Sequence, residues 1–313
     1  MKRDPAPTLE RVKAYEMVRR LVEEGTERRP AALGARLKEA GLVVPSRMTI
    51  VRWIQDATSP ASSLRRFDPV PSEELSFFVA AWTGDGWADD SDGGKRLLLK
   101  VRSRTFAEEF ARSASVILRK TTPYRVRVVT GRNGTWYVVK VTSLRLYDFV
   151  TQPLPALRAF TSPHPVGFLR GFFTAEGCPI ISVSSSPTKG SISRERLDVT
   201  VAVSNCDLEL LEYSRDLLLH LGFHPGNSRL NMAKGKRTNL SVATKSNYLV
   251  TLARSADVAV FAERVGFADA EKNAKLRESL RLVDTLGPSR AAERWKELYT
   301  KVAGKWTRNC SPA

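Results

Sequence analysis

Three cysteines and three histidines in 313 residues leave little material for a metal framework. Cys178, Cys206 and Cys310 are an odd set without ligand spacing. His220 and His224 stand four apart, but Gly222 and Pro225 interrupt any helix that could present both to one zinc ion, and His164 adds no second cluster. No Cys-His or Ser-His-Asp signature marks a nucleophilic hydrolase. No apolar run approaches the ~20 residues a membrane span needs, and the opening MKRDPAPTLERVK lacks the apolar core of a signal peptide. A cytoplasmic protein with no membrane partner is expected.

Negative charge is also scarce. The chain has 33 Asp+Glu against 50 Lys+Arg, a formal charge of +17 and a pI near 10.1. A field of that sign favours a polyanionic partner, nucleic acid first and anionic membrane second. Hydrophobic residues make up 42%, an ordinary share that allows two or three modest domains with real cores.

Residues 1–60 read as a small helical module. Leu9, Val12, Met17, Val18, Leu21 and Val22 line one helical face. Pro30 opens a second helix that Gly41 stops. Ser46 caps a third, with Ile50, Trp53 and Ile54 facing inward and Arg47, Thr49, Arg52 and Gln55 outward. This pattern resembles a helix-turn-helix DNA reader, with Arg47 and Arg52 as contacts. A Pro- and Ser-rich stretch follows, and residues 61–72 serve as a linker.

An internal repeat then fills residues 73–155 and 156–285, each copy ordered helix-β-β-helix-β-β-helix. Residues 124–129 and 135–143 form a hairpin in the first copy; SRLNMA and TNLSVATKS are its expected counterpart. Residues 286–313 are expected to end the chain as a helical tail. Strand alternation puts Leu97, Leu99 and Val101 on one face and Arg96, Lys100 and Arg102 on the other. Arg125 and Arg127 likewise oppose Tyr124, Val126 and Val128, while Arg196 opposes Leu197, Val199, Val201 and Val203. A basic, half-buried ribbon fits the DNA major groove. Arg96, Lys100, Arg125, Arg127, Lys140, Arg196, Arg229, Asn231, Asn239 and Ser241 are its expected contacts, so double-stranded DNA is the expected partner.

FFVAAWTGDGW (77–87) and VGFLRGFFTAEGC (166–178) pose the sharper question, because each apolar helix ends in an acid followed by glycine. Aligned by their acids, the copies put Ala80 and Gly84 against Gly171 and Ala175, a smooth stripe on each helix. Two such stripes let the helices pack closely and in parallel, so that Asp85, Glu176 and two negative dipole ends meet. Hard divalent cations prefer such oxygen-rich, negative sites. Gly86 and Gly177 are expected to supply left-handed exits from the helices.

Phe78-Val79-Ala80-Ala81-Trp82-Thr83-Gly84-Asp85-Gly86 and Leu169-Arg170-Gly171-Phe172-Phe173-Thr174-Ala175-Glu176-Gly177 resemble the nine-residue motif of the LAGLIDADG homing endonucleases. The resemblance spans about residues 73 to 282 and points to the single-chain, two-motif form, of the archaeal intron-encoded kind. It implies an α+β fold: two pseudo-symmetric αββαββα units forming a saddle of antiparallel sheets around two central helices, preceded by the all-α helix-turn-helix-like domain. It also implies a monomeric DNA endonuclease that cuts both strands of a long specific site, promotes intron mobility and takes no small-molecule substrate. Bound to DNA, it would be nucleoid-associated. Magnesium or manganese would sit at Asp85 and Glu176, beside Gly84 and Ala175, with Arg102, Arg104, Lys245 or Lys272 assisting catalysis. An RNA maturase or a cleavage-inactive transcription regulator of the same fold are the alternatives; retention of both acids favours the nuclease.

Overall fold

The computed structural model describes residues 9–55, 67–90, 95–132, 134–185, 195–237, 242–302 and 305–309. At the N-terminus α1 (Leu9–Glu23), α2 (Pro30–Glu39) and α3 (Arg47–Ile54) bury Ala14, Val18, Leu33, Leu37, Ile50 and Trp53 between them. Ser46 caps α3 as expected, its Oγ accepting from the Thr49 amide at 3.2 Å. Gly41, at φ +67°, turns the chain out of α2 where a side chain would be strained. Thr49 differs from the expectation. It is buried, with its hydroxyl 2.9 Å from the Ser46 Oγ, which leaves Arg47, Arg52 and Gln55 exposed out of the four expected outward residues. Residues 40–46 join α2 to α3, a longer connection than the three or four residues usual in a helix-turn-helix. Glu16 of α1 reaches the body through an ion pair with Arg145 at 3.1 Å.

The first unit runs α4 (Glu73–Asp85), β1 (Gly86–Asp89), β2 (Arg96–Val101), α5 (Arg104–Ile117), β3 (Val126–Gly131), β4 (Gly134–Thr142), α6 (Leu144–Val150) and α7 (Leu154–Thr161). The second runs α8 (Pro165–Glu176), β5 (Gly177–Ser185), β6 (Glu195–Asn205), α9 (Leu208–His220), β7 (Arg229–Met232), β8 (Asn247–Leu252) and α10 (Ser255–Arg264). Both sheets are antiparallel and have the same strand order, β1-β2-β4-β3 and β5-β6-β8-β7, the mark of a duplicated unit. Alternation sets one core per sheet. Leu97, Leu99, Val139 and Val141 pack on Phe77 and Phe78 of α4 and Phe110 of α5. Val201, Val203, Val250 and Leu252 pack on Phe168, Phe172 and Phe173 of α8.

Three sequence expectations change. The strand that pairs with β7 is Asn247–Leu252, with Val250 and Leu252 at the buried alternate positions; of the stretch expected to return, Val242 bridges Arg237 and 238–241 lie outside the described residues. Val128 is 63% exposed on β3, the edge strand of its sheet. The tail is only partly helical. After α10 comes α11 (Ala270–Leu298), bent at Gly287 (φ +75°) ahead of Pro288, and then a hairpin of β9 (Tyr299–Val302) and β10 (Lys305–Arg308). The β-branched and aromatic residues Tyr299, Thr300, Val302, Trp306 and Thr307 favour strand over helix there. Leu282, Ala291, Ala292 and Trp295 of α11 cover Ile181 and Leu197, so the tail supports the outer half of β5 and β6.

Candidate active site at the paired helix ends

Helices α4 and α8 lie side by side in parallel. A Cβ placed on Gly167 would fall 2.5 Å from the Glu73 carbonyl, and one on Gly171 would fall 2.5 Å from the Phe77 carbonyl and 3.1 Å from the Ala80 Cβ. At the far end a Cβ on Gly84 would lie 2.6 Å from the Ala175 Cβ. Ala80, Gly84, Gly171 and Ala175 therefore form the interface, and glycine is required by backbone proximity. Asp85 and Glu176, the last residue of each helix, are brought together by this packing.

The exits from the two helices are not left-handed. Gly86 has φ −90° and Gly177 φ −100°, both extended. Space explains the glycines instead. A Cβ on Gly86 would sit 2.6 Å from the Trp82 carbonyl, and one on Gly177 would sit 2.7 Å from the Phe173 carbonyl. The strand starts directly against the helix end, so each acid is held at a sharp corner. Thr83 and Thr174 play matching parts: their hydroxyls donate back to the Val79 and Arg170 carbonyls, at 2.7 and 2.6 Å. Thr174 Oγ1 also accepts from the Ala268 amide at 2.9 Å, which anchors the segment leading into α11.

That segment delivers Lys272. Asp269 caps α11 by accepting from the Lys272 amide at 3.0 Å, which fixes the first turn. The Lys272 Nζ then donates to the carbonyls of Thr174 (2.6 Å) and Gly177 (2.8 Å), on either side of Glu176. A cation at a helix C-terminus is favourably placed against the helix dipole. Burial pushes the lysine below its ordinary range, while Asp269, Cys178, Asp85 and Glu176 oppose that shift. Burial raises Asp85, with Lys272 opposing. Glu176 is pushed up to about 7, first by burial and then by the negative charge of Asp85, again with Lys272 opposing.

Of the four basic residues nominated from sequence, Lys272 alone acts on these acids. Arg104 is paired with Glu108 at 2.7 Å at the start of α5. Arg102 stacks on Trp136, its guanidinium 4.2 Å from the ring centre, and Lys245 is exposed in the turn before β8. The structure places these three at the surface, with Lys272 beside the acids. Among the DNA-contact residues, Arg96, Lys100, Arg127 and Lys140 share the face of the first sheet turned away from its helices, and Arg125 just precedes β3. Arg229 and Asn231 are exposed on β7. Arg196 is bound to Asp198 at 2.6 Å. Asn239 and Ser241 lie outside the described residues.

Among the described residues no group of three or more His, Cys, Asp or Glu gathers as a metal site. The pair Asp85 and Glu176 still fits a hard divalent cation by its chemistry: two carboxylates, each disfavoured as an anion, at the ends of two helix dipoles.

Residues 164–266 match the model of the LAGLIDADG-like domain. This stretch is a LAGLIDADG-like domain. The first unit repeats its element order and strand order, so the LAGLIDADG-like domain and its counterpart form a pseudo-symmetric pair. The chain is similar to the uncharacterized protein MJ0398 of Methanocaldococcus jannaschii, 29% identical over 247 residues, which covers 76% of this chain and 83% of that protein. Among solved structures it is similar to I-DmoI in complex with DNA and Ca, at 16% identity and a TM-score of 0.45, over 66% of this chain and 97% of that one. A mutant of I-SmaMI is similar at 9% identity and a TM-score of 0.45, over 71% of this chain and 97% of that one.

Proposed function

We propose that the protein is a DNA endonuclease that makes a double-strand cut in a long target, with Asp85 and Glu176 as the acids at the reacting phosphates. The observation that carries this reading is the convergence of both acids at the ends of α4 and α8, in a chain whose first antiparallel sheet has a basic outer face. The proposal extends to a monomer in the cytoplasm, nucleoid-associated when bound, that promotes mobility of an intron.

The chain's own residues would divide the work. The sheets hold the duplex and fix where its phosphates fall. Asp85 and Glu176 would hold a divalent cation of the magnesium or manganese class, neighboured by the backbone of Gly84 and Ala175. Such a cation supplies, when bound, Lewis acidity at a phosphoryl oxygen and a more acidic water. Lys272 adds a fixed positive charge beside Glu176 and keeps the end of α8 from fraying. Without the cation the carboxyl of Glu176 is pushed up to about 7 by burial and by Asp85, and a bound cation would relieve that like-charge repulsion.

The test is to incubate the full chain and magnesium with a pooled plasmid library and sequence the cut ends. Recurrent cuts at one long site are expected. Asp85→Asn and Glu176→Gln should abolish cutting while DNA binding in calcium persists. Cutting that survives in the double variant would sink the assignment of the acids.

A further inference from the structure

The two sheets differ in charge although they share one topology. On the outer face of the first, Lys100, Arg102, Arg127 and Lys140 stand with Arg125, and among the described residues none of the five has a carboxylate within ion-pair distance. Arg96 alone on that face is paired, with Asp89 at 3.4 Å. Trp136 holds two of the cations in place: Lys100 Nζ lies 5.1 Å and the Arg102 guanidinium 4.2 Å from its ring centre. Stacking of this kind fixes the direction of a cation without neutralising it.

Among the described residues, the strands of the second sheet carry fewer free cations on the corresponding face than the Lys100, Arg127 and Lys140 of the first. Register puts Ile180 beside Thr200, Ser182 beside Asp198 and Ala202 beside Thr251. Arg196 is held by Asp198 through its Nε at 2.7 Å and its Nη2 at 2.6 Å, and Ser184 Oγ donates to the same carboxylate at 2.5 Å. Arg229, on the short strand β7, is the one unpaired cation among the described residues of that face. Lys234, Lys236, Arg237 and Lys245 are exposed in the connection from β7 to β8, where Arg237 and Val242 form a bridge beyond the strands, just as Arg102 and Arg125 flank the strands of the first sheet; the difference between the sheets is in the strands themselves.

We propose that the two sheets hold the two halves of a DNA duplex by different physics. The first anchors its half through phosphates. The second reads base edges with neutral Ser and Thr hydroxyls and with apolar groups such as the 41% exposed Ile180, which suits a thymine methyl. The proposal rests on the DNA-binding part of the reading above.

Salt dependence separates the two modes, because each neutralised phosphate adds about 0.9 to the slope of log affinity against log salt. The probe is a 40-base-pair duplex of mixed sequence, titrated in calcium with the full chain at several salt concentrations. Lys100→Ala with Arg127→Ala should lower the slope by about 2. Arg196→Ala with Arg229→Ala should lower it by about 1 at most, since Arg196 is already neutralised. Asp198→Asn, which releases Arg196, should raise it by up to about 1. All the substituted positions are on the outer faces, and unchanged thermal melts confirm the fold. Equal losses for the two double variants, or no gain from Asp198→Asn, would overturn the proposal while leaving DNA binding intact. Failure of the unaltered chain to bind the duplex at any salt would overturn the DNA reading as well.

Discussion

Replacing Glu176 with glutamine should stabilise the protein in metal-free buffer at neutral pH and above. A carboxyl whose folded pKa is near 7, against an ordinary 4.5, binds its proton more tightly in the folded chain than in the unfolded one. The folded state therefore loses stability as pH rises from 4.5 to about 7, and the full penalty remains at higher pH. Taken whole, a shift of that size corresponds to roughly 3 kcal/mol; Glu176 is only partly buried, so solvent screening reduces it to about 1–2 kcal/mol. Glutamine keeps the shape and removes the charge. The expected gain is a few degrees of melting temperature at pH 8, at roughly 2–4 °C per kcal/mol for a chain of this class. At pH 4.5 the two proteins should melt together. Magnesium should close the gap at pH 8 by stabilising the unaltered chain and leaving the variant where it was. Scanning calorimetry across pH 4.5–8.5, with EDTA or with magnesium, reads all of this. A variant that melts lower than the parent at pH 8, or a difference that does not change with pH, would refute the reasoning.

The remaining expectations concern other parts of the chain. Gly171→Ala forces a methyl to within 2.5 Å of the Phe77 carbonyl and should cost about 1–3 kcal/mol or more in urea denaturation; an unchanged midpoint would mean the helices are not in contact. Lys272→Met leaves the Thr174 and Gly177 carbonyls without their donor, for an expected loss of about 1–3 kcal/mol, and removes the cation that lowers Glu176, so the pH transition should move upward. Lys272→Arg should restore part of both effects; a transition at the same pH in the methionine variant would remove Lys272 from the site. Deleting residues 1–65 should flatten the salt dependence of DNA binding without moving the cut, and identical footprints for both forms would make the module a structural cap.

The two core-forming helices and their acids were legible because backbone contact imposes small residues at fixed spacing, as at Ala80, Gly84, Gly171 and Ala175. The strand faces were legible for the same kind of reason: Leu97, Leu99, Val201 and Val203 alternate with polar residues over a buried layer. Lys272 was harder to place. Its role depends on the Asp269 cap and the Ala268–Thr174 hydrogen bond, which bring a distant segment to the end of α8, and neither leaves a periodic mark. The Trp136 stack with Lys100 and Arg102 arises from register across β2 and β4 and not from any local motif. The misread tail shows the reverse error: RAAERWKELYTKV keeps a helical pattern past Leu298, but Tyr299 stacks on Trp295 at 3.9 Å and the chain turns into a hairpin.

Chain order gives the position of Lys272 a temporal meaning. Domains of a growing chain fold from the N-terminus at the pace of synthesis. Helices α4 and α8, with both sheets behind them, precede α11 in the sequence, so the two acids can meet before the lysine has left the ribosome. Until then the end of α8 has neither its donor nor its compensating charge. The last long helix thus completes two things at once: a nascent or truncated chain would lack both the Leu276, Leu282 and Trp295 cover of the second unit and the cation beside its paired acids.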